Sequence, residues 1–405
     1  MVARMMHVAD LDFGAPFVGI GVLPDVLRAA QLNATADTWD AIVDIALEES
    51  VDVVLAVDVT ASAARLPSDT VRFAAGLERL SAGGIGTIVV NRPGRMAPVP
   101  SGWRPPDGVS LVADAVARRI DVECRGVGAL ALSIGFPWPD GPGPSAEAPG
   151  PDRLRVAVDF APQRPAAMVA ALPPPTPGPT GAAPGGPRVD YWALGGPGDG
   201  ELAQRDGRFI VRPGPAQPRT YRAPRAPAGV VVVEADGPTV RRVHWHRCAA
   251  LDVAAVVIDL AGIEDADTLI ETLEAALRQN AASAGSHPAK AQLLRGVLAG
   301  QGPLRTLLGD PAILFDLLDE LRDRCGPSWW WSDLYLAPRP IDDALIERTS
   351  PLAPLLRHQL ERTAQAPPGL RHEAFASVLD LLDDDVATGD ASLAGANRSG
   401  DEAGR

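Results

Sequence analysis

Short, wholly apolar runs alternate along the first half of the chain with stretches in which apolar residues recur at helical spacing. Met5–Ala9 is a strand candidate that ends at Asp10, and Val53–Val57 is a second that ends at Asp58. Between them, Asp37–Glu49 predicts a helix, because Trp39, Ile42, Val43 and Ala46 share a face and Asp37 is placed to cap its start. Val71–Leu80 predicts a second helix, and Thr87–Val90 a third strand that ends at Asn91. Strand and helix in strict alternation imply a parallel or mixed sheet with helices on its faces. Two Pro/Gly-rich stretches, Pro137–Pro151 and Pro173–Pro187, interrupt the pattern and predict surface loops. Leu154–Phe160 lies between them as a strand candidate and Val189–Leu194 follows them. Val230–Glu234 and Val240–Trp245 predict a hairpin about Asp236-Gly237.

The pattern restarts near residue 250. Val253–Leu260, Gln292–Leu298 and Trp329–Leu336 read as strands, and Asp265–Leu277 and Pro311–Arg322 as helices, together a small βαββ-type domain with two helices. Beyond Pro340 the character is helical, at Leu352–Arg362 and Glu373–Leu382, with apolar residues that either pack internally or offer a face to a partner. Asp383–Arg405 is acidic and rich in Gly, Ala and Ser, which predicts disorder. The expected organisation is a first domain at 1–248, a second at 249–339, a helical segment at 340–385 and a tail at 386–405.

Composition narrows the class. The chain has 405 residues, 46% of them hydrophobic, enough for full-sized cores. Its formal net charge of −14 withholds the broad cationic surface on which nucleic-acid affinity mostly rests, although a local arginine-lined groove stays open. Lys290 is the only lysine, and with 40 Gly and 40 Pro this usage suggests a GC-rich bacterial coding sequence. Cys124, Cys248 and Cys325 are far apart, odd in number and form no CxxC pair, which suits a reducing compartment. Met1–Asp10 holds no long apolar segment and no apolar run reaches bilayer length, so the expected location is the cytoplasm, with no membrane partner.

Candidate chemistry sits at the ends of the first strands: Asp10 with Asp12, then Asp58, then Asn91. In open α/β sheets, ligands gather outside the carboxyl ends of the strands, and clustered carboxylates there suit a hard cation such as Mg²⁺ or Mn²⁺. The plain alternative is that strand-terminal Asp and Asn are turn residues. Elsewhere, Trp329-Trp330-Trp331 would alternate on a strand, burying one face and leaving the other to cap the surface or stack on a base. His244 and His246 fall on one face of a strand with no third metal ligand evident, which favours a structural role.

Six segments in order carry a resemblance. They are HVADLDFGAPFVGIG at 7–21, WDAIVDIALEESVDVVLAVDV at 39–59, TIVVNRPG at 87–94, RVAVDF at 155–160, VDYWALGGPG at 189–198 and RPGPAQPR at 212–219. Their order and spacing resemble the calcineurin-like metallophosphoesterases and, more narrowly, the SbcD/YhaO-type DNA repair exonucleases. The resemblance implies a mixed β-sandwich flanked by helices, then a small α+β capping domain and C-terminal helices. That family binds two metal ions through Asp, His and Asn, and the resemblance places Asp10, Asp58 and Asn91 at ligand positions. The family's histidines are replaced, by Asp12 in the first motif, Arg92 in the third, Asp159 in the fourth, and Gly196 and Gly198 in the last. Val57 stands where the family has a Gly before the second Asp, and His7 is the histidine left near the site.

Two-metal chemistry needs both ions to clamp the attacking and leaving oxygens. What remains is a degenerate set of Asp10, Asp12, Asp58, Asn91 and Asp159, able to hold one hard ion, Mg²⁺ or Mn²⁺. Alternatively Arg92 neutralises the carboxylates in place of a metal, and this second reading is favoured. The resemblance then implies a nuclease-like subunit of a DNA repair or processing complex, a scaffold for an SMC-like ATPase rather than a hydrolase. Two rivals stay open: an active metal-dependent phosphodiesterase or exonuclease with a carboxylate-rich site, and a binding module in which Arg92 reads a phosphate. A homodimer is also left open.

Overall fold

The computed structural model describes residues 2–113, 118–124, 128–134, 154–160, 189–196, 198–221, 228–282, 289–326 and 328–337. The sequence-predicted loops at 137–151 and 173–187, the helical segment at 340–385 and the tail lie outside them. The described residues form a mixed α/β fold of three sheets. The first has six strands in the order β12-β11-β1-β2-β3-β4. Its members are β1 (Ala3–Phe13), β2 (Val53–Ala61), β3 (Gly86–Val90), β4 (Val109–Val112), β11 (Val230–Asp236) and β12 (Thr239–His246). β1 to β4 are parallel, whereas β11 and β12 run antiparallel to their neighbours. The second sheet has the order β5-β6-β7-β8-β10-β9. It is built from β5 (Arg118–Cys124), β6 (Gly128–Ile134), β7 (Arg155–Asp159), β8 (Tyr191–Leu194), β9 (Glu201–Arg205) and β10 (Arg208–Arg212).

The two sheets stack face to face. Met5, Val53, Leu55, Val57 and Ile88 of the first bury against Val156, Val158, Tyr191 and Val211 of the second. The other face of the first sheet is covered by α1 (Asp25–Glu48) and α2 (Pro67–Ala82), through Met6, Val8, Val54 and Ala56 against Trp39, Ile42, Phe73 and Leu77. Trp39 is fully buried and donates its indole N–H to the Phe73 carbonyl at 3.2 Å. Its truncation to Ala should cost ~3–5 kcal/mol.

α1 begins a dozen positions before the helix that periodicity predicts. Its first half holds Asn33 and Thr35, poor helix formers whose cost is met by tertiary packing of Leu27 and Ala34. Asp37, expected as a cap, is interior and pairs with Arg72 at 2.6 Å and Lys290 at 2.8 Å.

The third sheet is β13 (Leu251–Asp259), β14 (Ala291–Ala299) and β15 (Trp329–Leu336), all parallel, with crossovers α3 (Ala266–Ala282) and α4 (Pro311–Asp323). It is a βαβαβ unit rather than the βαββ arrangement expected, since a helix returns the chain between each pair of successive strands. Its own core centres on Leu273, Leu294, Leu321 and Trp331. Ile20, Leu23 and Leu27 join it to the first domain by packing on Leu251, Val253 and Leu293. Of the three consecutive tryptophans, Trp331 is buried, Trp329 packs on the core, and Trp330 is covered by the Arg322 guanidinium at 4.9 Å. Trp329 and Trp330 are half-buried. No described helix is long and apolar enough to cross a membrane.

Candidate functional site

β1 and β2 do not stop at Asp10 and Asp58, as their apolar runs suggest. Both aspartates adopt the left-handed region, with φ of 52° and 61°, and the parallel ladder resumes beyond them at Leu11 with Val59. Asp tolerates this conformation better than most side chains. One residue out of register resets the pleat. Met6 and Val8 face the helices before the kink, and Leu11 and Phe13 face them after it. In β2 the helix-facing residues are Val54 and Ala56, then Val59. The matched kinks gather Asp10, Asp12 and Asp58 at the carboxyl end of the sheet, close enough that Asp58 and Asp12 raise the Asp10 carboxyl and Asp12 raises that of Asp58.

Each predicted site residue has a defined partner there. Asp12 accepts from Thr60 Oγ1 at 3.0 Å, the residue opposite it in register. Asn91 is buried, and its amide clamps the β2 backbone: Oδ1 accepts from Val59 N–H and Nδ2 donates to the Val59 carbonyl, both at 2.7 Å. Asp159 closes β7 and accepts from the Phe160 amide at 2.7 Å. Arg92 lies 3.2 Å from Asp58 Oδ2, with its guanidinium over the Phe160 ring at 5.4 Å. Arg219, which the sequence reading did not single out, lies 3.7 Å from Asp10 Oδ1.

Burial pushes the Asp10 carboxyl up, opposed by Arg219, and neighbouring Asp58 and Asp12 push it further. Burial likewise raises Asp58 against the pull of Arg92 and Arg95, and raises Asp159 against the Phe160 amide. His7 is no ligand in this arrangement. It is fully buried between the sheets, its Nδ1 lies 3.0 Å from the Tyr191 hydroxyl, and desolvation lowers its pKa to about 3, against the Leu194 backbone.

The decisive observation lies at the two glycines. Gly196 and Gly198 follow β8 with φ of 96° and 137°. A Cβ added at Gly196 would stand 2.6 Å from Arg92 Nη2, and one at Gly198 would stand 3.0 Å from Arg212 Nη1. The volume that side chains at 196 and 198 would occupy is therefore filled by two guanidinium groups. Arg212 is itself buried at the end of β10. The segment that carries Arg212 and Arg219 is pinned by buried Gln217, which accepts from Thr38 Oγ1 at 2.8 Å and donates to the Leu251 carbonyl at 2.7 Å. The signal for these arginines was present in the sequence, since they open and close RPGPAQPR at 212–219.

A two-ion cluster does not fit this donor set. Positions 196 and 198 supply no ligand atom, Asn91 is committed to the Val59 backbone, and Asp10 and Asp58 face arginines. An open cleft of about 580 Å³ lies nearby, lined by Pro16, Phe17, Leu32 and Ala63 among others, and its lining includes none of the clustered carboxylates.

Residues 254–337 match the middle domain of metallophosphoesterase YhaO. This YhaO-like segment takes in almost the whole third sheet and its helices, and leaves the carboxylate–arginine cluster outside the match. No curated protein matches the chain. Among solved structures, the chain is similar to TT1561 of Thermus thermophilus, at 12% identity, over 53% of this chain and 90% of that one, with a TM-score of 0.26. At that score the similarity adds nothing to the topology described above.

Proposed function

We propose that this chain is a metallophosphoesterase-like subunit whose metal site has been rebuilt as an arginine–carboxylate cluster, and that it serves a DNA-processing assembly as a scaffold rather than as a hydrolase. The observation that carries the reading is the occupation by Arg92 and Arg212 of the space next to Gly196 and Gly198. A guanidinium neutralises carboxylates as a cation does, but it has no open coordination position and cannot lower the pKa of a water to make a nucleophile. Asp58 and Asp10 each face a fixed cation, which preserves the fold around the site while removing the reaction. The YhaO-like segment supports the metallophosphoesterase part of this reading, and the resemblance of the six ordered segments names an SMC-like ATPase as the partner class.

Incubation of the purified chain with single- and double-stranded DNA in Mg²⁺ or Mn²⁺, beside co-purification with an SMC-like ATPase, tests the proposal. No degradation together with a stable complex is the expected result. Metal-dependent cleavage abolished by Asp58→Ala would establish the rival, an exonuclease or phosphodiesterase with a carboxylate-rich site. Failure to associate with either ATPase or DNA would remove the scaffold role.

A second reading is favoured by one feature. The Arg92 side chain is 42% exposed, so it can reach a phosphate as well as Asp58. Arg92→Ala separates the two: a phosphate reader loses binding, whereas a neutralised scaffold loses stability.

A further inference from the structure

The edge of the first sheet carries a cluster of different chemistry. β12 is the edge strand, and it places His246 opposite Val230 and His244 opposite Val232. Val230 and Val232 belong to the helix-facing core, so both imidazoles point to the side on which α1 packs, while Trp245 between them packs toward the second sheet. α1 ends there, and its C-terminal cap residue is Glu49. His244 Nε2 and His246 Nε2 are 2.6 Å apart, and His246 Nε2 is 3.6 Å from Glu49 Oε1. All three ligand atoms fall within 4.8 Å of one another.

We propose that Glu49, His244 and His246 bind a borderline divalent transition-metal ion, foremost Zn²⁺, at a site separate from the carboxylate–arginine cluster. Two imidazoles and one carboxylate form a set that zinc accepts with a fourth position left to water, whereas Mg²⁺ and Ca²⁺ prefer oxygen alone. Zinc held at ~2.0–2.1 Å by both nitrogens would set them roughly 3.3 Å apart, so the rings need only swing apart by less than about 1 Å. The two nitrogens now share a contact that one proton can bridge, and an ion would take the place of that proton.

One surrounding feature favours a cation, and Arg4, itself cationic, leaves a ligand oxygen open. Glu49 lies at the C-terminus of a long helix, where the macrodipole presents negative potential. Arg4 steadies the glutamate without covering the atom that faces His246. Its Nη1 donates to the Glu49 carbonyl at 2.9 Å and lies 4.0 Å from Oε2, and its Nη2 pairs with Glu234 at 3.2 Å. Oε1, the oxygen turned to the imidazole, stays available. All three side chains are partly exposed, so an ion can enter without unfolding the edge.

The test is equilibrium dialysis of the chelator-stripped full chain against Zn²⁺, with bound metal measured directly and the Co²⁺ absorption spectrum as a second readout. One tightly bound ion per chain is expected. His244→Ala and His246→Ala should each weaken binding by roughly 100-fold or more, and Glu49→Gln by about 10-fold. His246→Gln, with far-UV circular dichroism and Tm, separates loss of a ligand from loss of fold at this edge strand. Asp58→Asn should leave zinc binding unchanged, so failure here is distinguishable from failure of the scaffold proposal. Absence of zinc binding, its retention in a His244→Ala/His246→Ala double variant, or its loss in Asp58→Asn would each overturn the site.

Discussion

Two clusters on the first sheet, one at its carboxyl end and one on its edge strand, solve the same electrostatic problem with different groups. At the carboxyl end, Asp10 and Asp58 sit close together, and their repulsion is offset by covalently fixed cations, Arg219 and Arg92. On the edge strand, Arg4 lies 4.0 Å from Glu49 Oε2, while Oε1 faces two imidazoles that carry no fixed charge and can accept an ion. The contrast teaches that a carboxylate cluster is not by itself a metal site. What decides is whether the free carboxylate oxygens face permanent cations, which neutralise without coordinating, or neutral donors, which coordinate without neutralising.

His7 sharpens the contrast most, because it is the histidine that belongs to neither cluster. Its folded pKa of about 3 lies below the ordinary 6.5. The unfolded chain therefore takes up a proton that the fold refuses, and stability present above pH 6.5 is lost as pH falls from there toward 3, by ~1.4 kcal/mol per pH unit. Denaturant unfolding across pH should show this slope, cleanest just below 6.5, and His7→Leu should flatten it. At lower pH the raised carboxyls of Asp10, Asp58 and Asp159 act the other way, since their folded forms gain protons before the unfolded chain does.

A smaller effect is expected from putting a histidine back at the carboxyl end. Gly196→His forces a side chain into the left-handed region and against Arg92, at a cost of about 2–4 kcal/mol by denaturant titration. Combined with Arg92→Ala the loss should be less than additive, because the collision is then removed. Arg92→Ala alone should cost ~1–2 kcal/mol at neutral pH, intermediate between exposed and buried ion pairs. That deficit should shrink as pH falls, because Asp58 without its partner titrates higher still and becomes neutral in the fold. Thr60→Val, which removes the hydroxyl from Asp12, should cost about 1 kcal/mol, and thermal unfolding checks it.

Much of this architecture was legible in the sequence. Val53–Val57 and Thr87–Val90 are strands because unbroken β-branched runs leave little else, and the hairpin at Asp236-Gly237 carries its own turn signal. The clustering of Asp10, Asp12 and Asp58 followed from their place at the ends of the apolar runs, although the strands themselves continue. Three features did not show. The continuation of β1 and β2 depends on two aspartates at positive φ, which no periodicity records. The first half of α1 is held by the third sheet, a tertiary contact that overrides weak propensity. Glu49 stands nearly two hundred positions before His244, so the third member of that cluster becomes visible only when the helix end and the edge strand meet. Arg212 and Arg219 stand in plain view at the ends of RPGPAQPR, but only the structure sets Arg212 against Gly198 and Arg219 beside Asp10.

The most direct measurement is calorimetric titration of Mg²⁺, which favours oxygen ligands, into the wild-type chain and into Arg92→Ala. If arginines stand where metal ions would, the wild type gives no saturable heat and the variant gains a Mg²⁺ response that Asp58→Asn removes. Saturable binding of about two Mg²⁺ ions by the wild type, lost in Asp58→Asn, would contradict it and return the cluster to the metal-dependent hydrolases.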